Sequence, residues 1–229
     1  MLDLLVPAAA AAAEVFADDP DATLFPEEEA VVARAVDKRR REFTMARVCA
    51  RRALAAIGVA PGPILPGAKG APAWPVGVIG SMTHTAGYRA AVVARRSELI
   101  SLGIDAEPNE PLPGQVLGAV SLPDERRWLA ELPAGTGGVH WDRLLFCAKE
   151  ATYKAWFPLA GRWLGFEDAL ITVTRDGEGG TGTFTSRLLV SGPTVDGTEI
   201  TAFTGRWLAG NGLVIAAIAV PPVRPGNET

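Results

Sequence analysis

A chain of 229 residues, 48% of them hydrophobic, has enough apolar material for one large domain or two small halves. Its net charge of −4 argues against nucleic acid as a partner, although Arg39-Arg40-Arg41 and Arg51-Arg52 show that basic residues cluster locally. With only Cys49 and Cys147, and only His84 and His140, a disulfide framework or a histidine/cysteine zinc site is hard to assemble, and this usage fits a reducing cytoplasm.

In chain order, residues 1–13 are apolar and alanine-rich. Asp3 comes early, however, and the first basic residue is Arg34, so the pattern of a signal peptide is not met. No apolar run reaches the roughly 20 residues that span a bilayer, so a soluble, cytoplasmic protein without membrane contact is expected. Residues 18–26 read as loop. Glu27, Glu28 and Glu29 then open a helix predicted to run to about Ile57, where Gly58 stops it. Residues 59–75, with five prolines and three glycines, form an extended loop. Short strands are expected at Val76–Ile79, Tyr88–Ala94 and Leu99–Ile104, and a short helix at Pro123–Leu132.

Pro133–Gly138 is the best linker candidate. An amphipathic helix follows at His140–Phe157, then alternating strands at Ile171–Thr174, Thr183–Val190 and Ile200–Leu208. Gly210-Asn211-Gly212 turns the chain into Leu213–Val220, and residues 221–229 are expected to fray. Each half thus offers a long helix and about three strands. The fold class is α+β: two similar, pseudo-twofold lobes, residues 1–132 and 139–229, around one cleft and forming one catalytic unit. No repeat is visible residue by residue.

Side chains at i and i+2 of an extended segment share a face, so Asp105 and Glu107 would project together. Two adjacent carboxylates repel unless a cation or proton intervenes, and oxygen ligands favour magnesium or manganese. The plain alternative is a solvated pair at a strand end. Glu150 and Lys154, at i and i+4, make an ordinary helical ion pair or a buried pair with functional partners; the apolar run around them favours the second. Arg39 and Arg47 lie about two turns apart on one helix, where guanidinium groups suit phosphate oxygens. Gly80-Ser81-Met82-Thr83-His84 is read as a hydroxyl-bearing turn after a strand, and a lone histidine there means little in isolation.

Taken together, these segments resemble a 4′-phosphopantetheinyl transferase of the bacterial siderophore and polyketide type, similar to the component D of enterobactin synthase. The likeness rests on the ordered combination of Ser81-Met82-Thr83-His84, Gly103-Ile104-Asp105-Ala106-Glu107 and Lys149-Glu150-Ala151-Thr152-Tyr153-Lys154, with Lys38-Arg39-Arg40, Arg47, Gly70–Pro75 and Trp141. The resemblance implies coenzyme A as donor and a serine of an acyl or peptidyl carrier protein as acceptor, with adenosine 3′,5′-bisphosphate leaving. It implies Asp105, Glu107 and Glu150 as ligands of Mg2+ or Mn2+, and Glu150 and Lys154 as catalytic, with Lys149 assisting. Arg39, Arg47, Lys69, Gly70, Thr83 and His84 would hold the donor, Asp105, Lys149, Glu150 and Lys154 completing its site. Close relatives carry a further lysine where Pro66 stands here. The enzyme is expected to be a monomer serving siderophore, polyketide or fatty-acid carriers. A metal-dependent nucleotide phosphohydrolase uses the same acids but leaves the order of motifs unexplained. An inactive coenzyme A- or carrier-binding adaptor would not need every catalytic side chain.

Overall fold

The computed structural model describes residues 1–132, 138–177 and 179–222. Most of the expected linker and most of the C-terminal tail therefore lie outside the described residues. Two antiparallel sheets carry the apolar strands. The first has the order β1 (Ala10–Val15), β3 (Tyr88–Arg95), β2 (Val78–Thr85). The second has the order β4 (Ser101–Pro108), β10 (Leu213–Val220), β9 (Ala202–Gly210), β6 (Thr181–Leu188), β5 (Ala169–Arg175). A two-stranded ribbon, β7 (Thr194–Val195) and β8 (Thr198–Glu199), stands apart. The helices are α1 (Pro26–Val32), α2 (Asp37–Ala56), α3 (Gly114–Val120), α4 (Pro123–Glu131) and α5 (Trp141–Ala160). The α+β class holds, and among the described residues no helix is long and apolar enough to cross a membrane.

The single helix expected from Glu27 to Ile57 is two helices. A continuous one would set Glu28 and Arg51, 23 residues apart, at about 35 Å. Instead Val36 is extended, α1 folds back, and Arg51 Nη1 lies 2.9 Å from the fully buried Glu28 carboxylate. That carboxylate also accepts the Phe25 N–H at 3.0 Å and the Ile64 N–H at 2.8 Å. The same node recurs at α4. Glu125, 2% exposed, accepts the Leu122 N–H at 2.7 Å, the Ile171 N–H at 2.8 Å and the Lys149 ammonium at 2.9 Å. Each begins with an apolar residue, proline and two acids: Phe25-Pro26-Glu27-Glu28 and Leu122-Pro123-Asp124-Glu125. This repeat is four residues long, too short to stand out in the sequence.

Three boundaries differ from the sequence reading, for one reason. Hydroxyls and short side chains disguise strands whose partners are unusual. Ser81, Thr83 and His84 lie within β2 rather than in a turn after it. Ser81 Oγ and Thr83 Oγ1 accept the Ile104 and Ala106 N–H groups of β4, each at 3.1 Å, so side chains replace a main-chain ladder where the two sheets meet. Asp105 and Glu107 sit inside β4, which extends to Pro108 and pairs with β10 along its length. The N-terminal alanine run is β1, registered against β3 from Ala10↔Ala94 to Val15↔Arg89. Helix α3 also escaped notice, since its seven residues carry little amphipathic pattern.

Helix α5 lies directly on β4. A Cβ on Gly103 would come 2.1 Å from the Ala151 carbonyl oxygen, and Ser101 Oγ donates to the Ala155 carbonyl at 2.6 Å. This close approach brings the polar face of α5 to Asp105. Cys147, Ala148, Ala151, Ala155 and Trp156 on its other faces are fully buried. Overpacking such a contact costs about 1–3 kcal/mol or more. Gly103→Ala should therefore lower the urea midpoint without changing the slope of the transition, and an unchanged midpoint would contradict this packing.

Candidate active site

Asp105 is the pivot. It is 5% exposed, and its Oδ1 accepts two hydrogen bonds, from Lys154 Nζ at 2.7 Å and Thr83 Oγ1 at 3.1 Å. Its Oδ2 is buried and has no hydrogen-bond partner among the described residues. Such an orphaned carboxylate oxygen is costly unless something outside the chain completes it. Burial alone would lower the Lys154 pKa; the charge and hydrogen bond of Asp105, with Glu150, outweigh it and raise it, so this lysine stays charged.

Glu107 lies two residues on, on the same face. Arg143, in the first turn of α5, bonds its Oε2 at 3.1 Å while clamping the Glu110 and Pro111 carbonyls at 3.2 and 3.1 Å. Burial, then the Asp105 charge, lifts the Glu107 pKa against the pull of Arg143 and Lys154. Glu150 is lifted by the same two causes, in the same order, against Lys154. Among the described residues, no three acid, histidine or cysteine side chains converge closely enough to grip an ion as they stand. The metal trio expected from sequence is therefore not a preformed cage: Asp105 is turned to Lys154 and Glu107 to Arg143. The residues nevertheless fit a hard cation, because an unpartnered oxygen and two acids raised by burial and by the Asp105 charge would all be relieved by one.

Beside these acids opens a cavity of about 760 Å³. Arg39, Arg47, Lys69, Gly70 and His84 line it from the N-terminal half, and Glu150 and Lys154 from α5. Arg47 is 8% exposed, its guanidinium 3.5 Å from the Phe43 ring centroid, and burial pulls its pKa down to about 10, still charged at neutral pH. Lys69 and Gly70 both have positive φ, 53° and 81°, in a tight turn at the cavity mouth. Arg39 Nη1 lies 2.9 Å from His84 Nε2. Thr83 lies behind the wall and works through Asp105.

One expected residue is elsewhere. Lys149 is 4% exposed and donates to Glu125, to the Phe166 carbonyl at 2.6 Å and to the Ala169 carbonyl at 2.9 Å. Adjacent helical residues point about 100° apart, so when Glu150 faces the cavity Lys149 turns toward α4 and β5. Sequence reasoning passed over Arg143 and Glu125. The only cue to Arg143 was a basic residue in a helix's first turn, where cations are usually disfavoured.

Comparison with known proteins agrees along the chain. Residues 27–94 match the family model of the 4′-phosphopantetheinyl transferase N-terminal domain, and residues 101–207 that of the 4′-phosphopantetheinyl transferase superfamily. The chain is 57% identical over 223 residues to the 4′-phosphopantetheinyl transferase Svp of Streptomyces mobaraensis, covering 96% of this chain and 89% of that protein. It is 56% identical over 209 residues to PptT of Mycobacterium tuberculosis, covering 91% of each. It is 33% identical over 139 residues to the enterobactin synthase component D of Salmonella typhi, covering 59% of this chain and 55% of that protein.

Two substitutions separate the neighbouring lysines and acids. Lys149→Ala strands Glu125 in the interior and should cost about 3–5 kcal/mol in chemical denaturation; a loss under 1 kcal/mol would dismiss the buried pair. Glu150→Gln should raise the melting temperature of the ligand-free protein by about a degree or more at pH 8. A raised carboxyl pKa in the folded state means the ionised form opposes folding above that pKa, and the penalty disappears below the unfolded value of 4.5. The gain should therefore vanish near pH 4, and a gain that persisted there would not be electrostatic.

Proposed function

This chain belongs to the 4′-phosphopantetheinyl transferase superfamily, and from that premise we propose that the cavity between α2 and α5 holds coenzyme A while a carrier-protein serine attacks beside Glu150. The enzyme transfers the 4′-phosphopantetheine group of coenzyme A to carrier-protein domains. The observation that carries the assignment of residues is a single cavity lined by Arg39, Arg47, Lys69 and His84 on one side and by Glu150 and Lys154, the latter bonded to Asp105, on the other.

In this reading Arg39, Arg47, Lys69 and His84 grip the adenosine end and its 3′-phosphate, with the Gly70 turn allowing close approach. Asp105, Glu107 and Glu150 would hold Mg2+, or Mn2+, and the bound ion would offset the charge of the diphosphate. Glu150 takes the serine proton, directly or through water; a carboxylate that also holds the ion is a weak base, which favours the water-mediated route. Lys154, held charged and 27% exposed, turns its ammonium to the oxygens on which charge grows. The serine oxygen forms a bond to the β-phosphorus, and adenosine 3′,5′-bisphosphate departs. Beside Glu150 a smaller recess of about 90 Å³, lined by Lys149 and Glu150 as well as Tyr153, Trp163, Leu164 and Phe166, would receive part of the pantetheine arm.

The same reading takes residues 1–132 and 139–229 as two similar lobes of one monomeric, cytoplasmic enzyme, supported by the repeated glutamate nodes of α1 and α4. Carriers of siderophore, polyketide or fatty-acid assembly are its acceptors. Incubation with coenzyme A, magnesium and an apo carrier should raise the carrier mass by one phosphopantetheine; hydrolysis of coenzyme A with an unchanged carrier would overturn the reading. Glu150→Gln should slow transfer by about 100-fold to 10,000-fold, the range of general-base catalysis.

A further inference from the structure

One acid stands among the cations of the donor-binding wall. Glu42 of α2 has a side chain 13% exposed, and its Oε2 lies 3.7 Å from His84 Nδ1 and 3.9 Å from Arg39 Nη1. Its Oε1 lies 4.0 Å from Lys38 Nζ. A carboxylate in a phosphate site weakens anion binding unless it does something in return. The geometry of His84 indicates what that is. A guanidinium has donors and no acceptor, so Arg39 Nη1–H donates to His84 Nε2, and that nitrogen carries the lone pair. The proton of the neutral ring is then on Nδ1, on the side of Glu42.

Four charged groups face this ring: Glu42 and Arg39 from α2, Arg89 across the strand pair on β3, and Lys154 from α5. Burial and the three cations lower the His84 pKa, and Glu42 is the acid acting the other way. A phosphate dianion would draw Arg39 to itself and uncover Nε2. A neutral ring then offers the phosphate only a lone pair. A ring that has taken a proton from solvent at Nε2 offers a charged donor, provided its Nδ1–H is matched.

We propose that Glu42 is a positioning residue that orients His84 and supports its charged form against the 3′-phosphate, so that the enzyme prefers coenzyme A to dephospho-coenzyme A. This rests on the reading that Arg39 and His84 hold that phosphate. Removing the carboxylate leaves every direct phosphate ligand in place and takes away what makes His84 a charged one.

The test is calorimetric affinity at pH 7.5 for coenzyme A and dephospho-coenzyme A, with wild type, Glu42→Gln, His84→Gln and the double variant. Glu42→Gln should weaken coenzyme A by about tenfold, the worth of one charge-assisted hydrogen bond, and dephospho-coenzyme A by less than about twofold. Because Glu42 acts through His84, the double variant should bind coenzyme A no worse than His84→Gln alone. Retained dephospho-coenzyme A binding shows that the variants are folded. Should Glu42→Gln bind coenzyme A as tightly as wild type or more tightly, or should the two losses multiply, the inference falls while the donor site stands. Equal affinity of the wild type for both donors would remove the 3′-phosphate assignment itself, and this inference with it. A variant that lost both donors equally would reduce Glu42 to a structural role.

Discussion

Burying a carboxylate is costly unless its oxygens find partners, and among the described residues Asp105, 5% exposed, is met on one oxygen only. Lys154 and Thr83 both address Oδ1, and they reach it from different places: α5 follows Asp105 in sequence, and β2 precedes it. The pair therefore fastens a helix of the C-terminal half to the seam between the two sheets. Everything around the seam accommodates that contact. Gly103 lets the helix axis approach, Ser101 ties its backbone down, and Ser81 and Thr83 supply the hydrogen bonds that the strands do not exchange. Replacing any of these with a bulky apolar side chain would leave buried backbone groups unpaired or push α5 outward.

Charge is sorted on either side of that seam. Arg39, Arg47, Lys69 and His84 line the cavity from one side and Glu150 and Lys154 from the other, with Asp105 bonded to Lys154 and Glu107 two residues along β4. A donor with a terminal phosphate at one end and a diphosphate in its middle matches this sequence of charges. The acids are poised rather than assembled. Arg143 holds Glu107, Lys154 holds Asp105, and burial first, then the Asp105 charge, lifts the pKa values of Glu107 and Glu150. Two neighbouring lysines have become unlike through one helical step: Lys154 borders the cavity, while Lys149 completes a buried node with no face toward it.

Much of the site was legible because its chemistry is local in sequence. Alternation in β4 placed Asp105 and Glu107 on one face, and the helical spacing of Glu150 and Lys154 placed them on another. Their approach could not be read, because some thirty residues separate β4 from α5 in the sequence. The fold class followed from the number of helices and strands, whereas the topology did not: nothing local signals that β4 pairs with β10 across the whole chain. Long-range partners also explain the misplaced boundaries. The break before α2 exists to bring Glu28 to Arg51, and β2 looks polar because its hydroxyls take the place of a strand. Lys149 was assigned by its motif, which records adjacency but not which way a helix turns.

In the proposed enzyme the unpartnered oxygen of Asp105 receives a cation beside a phosphate-bearing donor. Anomalous diffraction from crystals grown with manganese and coenzyme A addresses it directly. A peak bound to Asp105 Oδ2, with Glu107 and Glu150 turned toward it and the nucleotide against Arg39, Arg47 and His84, is the predicted result. A bound donor with Asp105 still joined to Lys154, its second oxygen empty and the manganese elsewhere, would contradict it.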